Sequence, residues 1–157
     1  MSRRDQIRMS DEEARQFLRA SKTIILNSIG SGGYPHPMPM WFSVDADGAI
    51  RMTTFRKSQK VKNIQRDPRV SLLAESGVEY AQLKGVVIYG RAEIVDDLEA
   101  VVATLLAAMG GAVAPDDSEA RRAQEEGIRR TAGKRVCIRV APQRIVSWDH
   151  TKLGGVY

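Results

Sequence analysis

The chain has 157 residues, of which 43% are hydrophobic and 27% charged, and its formal net charge is +5. That fits one compact domain over residues 1–157 with its own core, and disorder is not the expected state of the body of the chain. The positive charge is dispersed apart from one cluster at Arg56, Lys57, Lys60 and Lys62, with no basic tail and no interleaved aromatics, so nucleic acid is not an expected partner.

Ser10-Asp11-Glu12-Glu13 predicts a helix start, with Ser10 as cap, Glu13 completing a capping box and Ala14, Phe17 and Leu18 on an apolar face to about residue 20. Residues 22–29 read as a strand, and Gly30-Ser31-Gly32-Gly33 as a turn. Residues 35–44 predict a second strand, Asp45-Ala46-Asp47-Gly48 a hairpin turn and residues 49–55 a third strand. A short helix is expected over about 58–66, stopped by Asp67-Pro68. Residues 69–75 and 82–95 follow as strands, with Gly90 marking a bend or bulge. Residues 97–109 are helical in pattern. Residues 110–133 are expected to form a helical or mobile insertion, with a second helix opening at Pro115-Asp116-Asp117. Residues 134–140 and 143–148 predict two strands broken by Pro142, and the tail from Asp149 to Tyr157 has no strand period. Strands joined by tight turns dominate, which favours an antiparallel barrel or sandwich.

Cys137 is the single cysteine. It lies in a strand-like apolar run and is expected in the core. Without a disulfide framework or an apolar leader the expected compartment is cytoplasmic. No apolar run approaches the roughly 18 residues that span a bilayer, so no membrane is expected. His36, His150 and Cys137 are too far apart in sequence for metal-ligand spacing, so no metal is expected.

Two segments carry chemical information. In Tyr34-Pro35-His36-Pro37-Met38-Pro39-Met40-Trp41-Phe42, prolines at alternate positions remove three N–H donors from one lateral side of a strand. Such a strand is a sheet edge, protected against further pairing, or a backbone wall beside a ligand. In Arg56-Lys57-Ser58-Gln59-Lys60-Val61-Lys62-Asn63-Ile64, Ser58 is a good N-cap and Val61 and Ile64 can face the core, leaving Lys60 on the polar side. Lys57 and Lys60 oppose the helix dipole there. A bound anion would relieve that repulsion and satisfy the free N–H groups, unless the segment is only a solvated charged face.

These segments, together with Arg66-Asp67-Pro68-Arg69-Val70 and the ending Trp148-Asp149-His150-Thr151-Lys152-Leu153-Gly154-Gly155, resemble the pyridoxamine 5'-phosphate oxidase-like split β-barrel superfamily, in its branch of flavin and deazaflavin (F420)-dependent oxidoreductases. The resemblance implies a mainly β fold with flanking helices: a six- to seven-stranded antiparallel split β-barrel of the FMN-binding type. It also implies a homodimer with a cofactor in each interface cleft. Carried over, it puts Ser58, Gln59 and Lys60 at the cofactor's phosphate, Lys57 close by, and Asn63 supporting the helix. Pro39, Met40, Trp41, Thr53 and Thr54 would line the ring system, although Thr53 and Thr54 point to opposite faces. The implied function is hydride transfer between coenzyme F420 and a small organic substrate. The alternatives are an FMN-binding oxidase or reductase, or a non-catalytic cofactor- or tetrapyrrole-binding protein. No catalytic side chain is assigned, because such cofactors carry the chemistry. The tail either covers the chain's own core or, as the resemblance implies, places Trp148 or His150 near the cofactor of the partner subunit.

Overall fold

A computed structural model describes residues 2–110, 115 and 118–155. The chain opens with a short helix that the sequence pattern did not announce, α1 (Arg3–Ile7), held by a capping box between Ser2 and Asp5. Helix α2 (Asp11–Ala20) starts as expected: the Glu13 N–H donates to Ser10 Oγ at 3.2 Å and the Ser10 N–H to Glu13 Oε2 at 2.6 Å. Strands β1 (Thr23–Ile29) and β2 (Pro35–Trp41) form a hairpin. The stretch expected as one strand over 35–44 divides at Phe42, which is buried, and continues as β3 (Ser43–Val44). A tight turn, with the Gly48 N–H donating to the Asp45 carbonyl, leads to β4 (Ile50–Phe55).

Helix α3 (Gln59–Arg66), β5 (Arg69–Ser76), a 3-10 turn at Tyr80–Gln82 and β6 (Lys84–Val95) come next. Helix α4 (Leu98–Met109) follows, then α5 (Glu119–Ala132), capped by Ser118 rather than opening at Pro115. Helix α5 occupies most of the stretch expected over 110–133 to be a helical or mobile insertion, while residues 111–114, 116 and 117 lie outside the described residues. The last strand, β7, runs unbroken over Arg135–Asp149 and ends in a 3-10 turn at His150–Leu153.

The unbroken β7 corrects the expectation of two strands parted by Pro142. Tyr89 pairs with Arg144 but Gly90 with Pro142, so Gln143 is an extra residue on β7. The bulge absorbs the missing proline donor. Gly90 itself is required by close approach, since a Cβ there would lie 2.6 Å from the Ala141 carbonyl oxygen.

The seven strands form one antiparallel sheet in the order β2-β1-β5-β6-β7-β4-β3. The edges are therefore β2 and β3, which are adjacent in sequence. The chain passes from one edge to the other at Phe42, so the sheet must curl until its edges meet, and β2 packs against β4. No ladder joins β2 to β4 among the described residues, and the barrel is split there. Leu26, Met52, Leu72, Ile88 and Ile138 fill its interior without measurable exposure, capped by Leu18 of α2 and Ile64 of α3. A second cluster lies on the opposite face of the sheet, where Val101, Val102 and Leu106 of α4 and Ala132 of α5 cover Cys137. The fold is a mainly β split barrel with flanking helices.

Candidate functional site

The site is built around the start of α3. Ser58 has extended backbone (φ −68°, ψ 155°) as an N-cap should, yet its hydroxyl makes no capping bond to the helix. Instead it accepts from Thr54 Oγ1 at 3.3 Å. The first-turn N–H groups of α3 thus lack a side-chain cap, and the turn holds no acidic residue. The helix start is left with donors and positive dipole unanswered.

Lys60 is the main correction to the sequence reading. It does not lie on a polar helix face: only 9% of its surface is exposed, and its Nζ donates to Thr54 Oγ1 at 3.0 Å. The reason is the barrel rim. Residue 60 adjoins the core residue Val61, and Thr54 opposite it is buried on the inner face of β4. No carboxylate pairs with Lys60 among the described residues. Burial pushes the pKa of its ammonium below the ordinary lysine value.

Asn63, fully buried, ties α3 to the sheet. Its Nδ2 donates to Ser28 Oγ of β1 at 3.0 Å, and its Oδ1 accepts from Gln59 Nε2 at 2.9 Å. Arg66 adds a hydrogen bond to the Ile29 carbonyl. Gln59 is thereby turned along the helix toward Asn63. His36 sits across from Ser28 in the β1–β2 register, and its Nδ1 is buried without a hydrogen-bond partner among the described residues. Neither Ser28 nor this placement of His36 could be read from the sequence, because each depends on strand register.

The remaining expected residues divide by face. Strand β2 is an edge, as its prolines require: its ladder to β1 can run only through His36, Met38 and Met40, since Pro35, Pro37 and Pro39 have no N–H to give. Pro39 and Trp41 are exposed, with Lys22 Nζ 4.7 Å from the Trp41 ring centroid, whereas Met40 packs against the core. Thr53 pairs with Cys137 and Thr54 with Val136, so the two threonines do point to opposite faces. The structure brings Thr54, Ser58 and Lys60 together, with Gln59 and Asn63 behind them. Met40 can border a ligand outside the barrel only with its backbone.

Lys57 turns elsewhere. It lines a hollow of about 350 Å³ with Phe55, Arg56, Gly133 and Lys134. The C-terminal turn lies at the other end of the sheet. His150 Nδ1 is 2.8 Å from the Tyr80 carbonyl oxygen, and Lys152 Nζ donates to Glu13 at 2.7 Å. Strand β5 starts beside α3 and runs away from it to Ser76, whose partner Lys84 pairs with Asp149. Tyr157 lies outside the described residues. Among the described residues, no group of His, Cys, Asp and Glu is arranged to hold a metal ion, and no helix is long and apolar enough to cross a membrane.

Comparison with known proteins agrees with this architecture. The conserved hypothetical protein Rv2991 from Mycobacterium tuberculosis is 36% identical, with a TM-score of 0.87 over 100% of this chain and 95% of that one. An F420 reductase is 20% identical, with a TM-score of 0.59 over 87% of this chain and 98% of the other. The FAD binding protein from Mycobacterium smegmatis is 16% identical, with a TM-score of 0.60 over 90% and 98%. These last two likenesses are of fold alone. No curated protein matches the sequence. A family model described as pyridoxamine 5'-phosphate oxidase matches residues 10–149, and the chain therefore belongs to the pyridoxamine 5'-phosphate oxidase family.

Proposed function

We propose that the chain is an F420-dependent oxidoreductase that passes hydride to a small organic substrate, and that it works as a homodimer. The carrying observation is Lys60: a buried ammonium with one neutral hydrogen-bond partner, at a helix start whose first N–H groups are uncapped. A phosphate there supplies the missing counter-charge and accepts from those donors. The donor set thus fits the phosphate of F420 or FMN. Lys60 and the first turn of α3 would hold it, Ser58 would present its hydroxyl, and Asn63 would keep the helix seated on β1. The bound cofactor supplies hydride transfer, and the chain supplies orientation and a wall against water. Pro39, Trp41 and Thr53 are read as bordering the ring system from the outer face, with Met40 contributing backbone.

The family supports FMN as the second reading, through its description as an oxidase of pyridoxamine 5'-phosphate. Fluorescence titration of the apo-protein with F420 and with FMN separates the two. Tight F420 binding with weak FMN binding is expected, and the reverse order overturns the F420 assignment.

The dimer reading rests on the outer sheet face. Pro39, Ile25, Leu73, Val87 and Val146 stand opposite one another in register, an apolar row across five strands. The Trp148 ring shares that face, lying over Gly85, where a methyl would overlap it. A row of this kind on a soluble protein favours a partner surface. In such a dimer Trp148 faces the partner's site, while His150 stays tied to Tyr80.

A further inference from the structure

We infer a second anion subsite beside the first: the hollow of Phe55, Lys57 and Lys134 receives an anionic group attached beyond the cofactor's phosphate. This rests on the phosphate reading above and extends it to the length of the ligand. The fold creates the subsite by bringing together residues nearly eighty positions apart. Strand β4 runs antiparallel to β7, Phe55 pairs with Arg135, and the Arg56 N–H donates to the Lys134 carbonyl at 3.0 Å. The basic run at 56–60 is thus doubled by a second one at 134–135.

The charge at this place does not balance. Arg56 is committed to Asp96 and to the Gly133 carbonyl. Lys57 and Lys134 make no ion pair among the described residues, and Arg135 has a buried Nε with no hydrogen-bond partner. Among the described residues Asp96 is therefore the single carboxylate paired at a hollow framed by Arg56, Lys57 and Lys134, with Arg135 stacked behind Phe55. The hollow also has a flat wall. Phe55 is 54% exposed, and the Arg135 guanidinium covers one side of its ring at 4.4 Å from the centroid. That contact pins the ring and leaves the remaining surface for a ligand. Lys57 immediately precedes Ser58, the N-cap of α3, so the hollow borders the residues that lead into that helix. At about 350 Å³ it has room for a phosphate or carboxylate with atoms lying against Phe55.

A ligand that ends at its first phosphate, such as FMN, leaves the subsite empty. FAD, with a second phosphate and an adenine, and F420, with carboxylates past its phosphate, both supply the required anion. The test compares FMN, FAD and F420 on wild type and on Lys134→Ala and Lys57→Ala/Lys134→Ala, by fluorescence titration at low and high salt. In the double variant, affinity for FAD or F420 should fall about tenfold, the scale of two partly screened charge-assisted contacts. FMN affinity should change by less than about twofold. The loss should shrink at high salt. Whichever extended ligand shows the larger loss identifies the source of the anion. Equal losses for FMN and the extended ligands would mean that the lysines serve the first phosphate, which overturns the subsite. FMN binding unchanged, with no extended ligand sensitive to either variant, overturns it as well and leaves the Lys60 site standing. Wild type that binds none of the three removes the phosphate reading and the subsite together.

Discussion

Lys60→Met separates a binding lysine from a structural one, because the two roles predict opposite changes in the apo-protein. The wild-type ammonium is nine-tenths buried, holds one hydroxyl and has no counter-ion among the described residues. Methionine fills a similar volume without the charge. Replacing a buried charge that lacks an ionic partner relieves its desolvation, and Thr54 keeps its hydrogen bond to Ser58. The apo-protein should therefore be unchanged or more stable by about 1 kcal/mol, a rise of about 2–4 °C in Tm for a chain of this length. Cofactor affinity should move the other way. Loss of one charge-assisted hydrogen bond to a phosphate costs about 1.5–3 kcal/mol, or roughly 10- to 150-fold in Kd. Scanning calorimetry of the apo-protein and fluorescence titration with F420 and FMN read the two effects independently. If Lys60→Met lowers the apo Tm by several degrees and binds both cofactors as wild type does, the lysine is a structural prop and the phosphate site is misplaced.

Three further outcomes follow from the same geometry. Burial depresses the Lys60 pKa, so between its folded value and 10.5 the unfolded chain binds more protons than the folded one. Apo stability should gain from this group as pH rises through that window, while phosphate affinity falls with loss of the charged form; a wild-type affinity flat up to pH 10.5 contradicts the assignment. Asn63→Ala strands Ser28 and Gln59 around a buried gap and should cost about 1–3 kcal/mol, seen as a Tm lower by about 3–10 °C; an unchanged melt means that the tie between α3 and β1 is dispensable. Val87→Glu puts a charge within the outer apolar row, between Leu73 and Val146, and should give monomers in sedimentation where wild type sediments as a dimer; a variant that stays dimeric moves the interface elsewhere.

Local chemistry made much of this protein legible from its sequence. The capping box at Ser10 and Glu13, the turn at Gly48, the end of α3 at Asp67 and the core role of Cys137 each depend on a few neighbouring residues. The prolines at 35, 37 and 39 declared an edge strand for the same reason, since each removes a donor wherever the strand lies. The helix start around Ser58 and Lys60, beside Val61 and Ile64, could be singled out as a candidate anion site from its cap and charges alone. What the sequence could not contain was anything that depends on which strands become neighbours. The burial of Lys60 comes from Thr54 standing opposite it on the barrel rim. The link from Asn63 to Ser28, the orphaned His36 and the meeting of Lys134 with Arg56 all depend on register between distant strands. Pro142 misled because a single proline normally ends a strand, whereas the extra residue Gln143 and the bare Gly90 opposite let β7 pass. Hydrogen-bonding capacity is a property of each residue, but its cost or use is settled by burial, and burial is decided when the sheet curls until β2 meets β4.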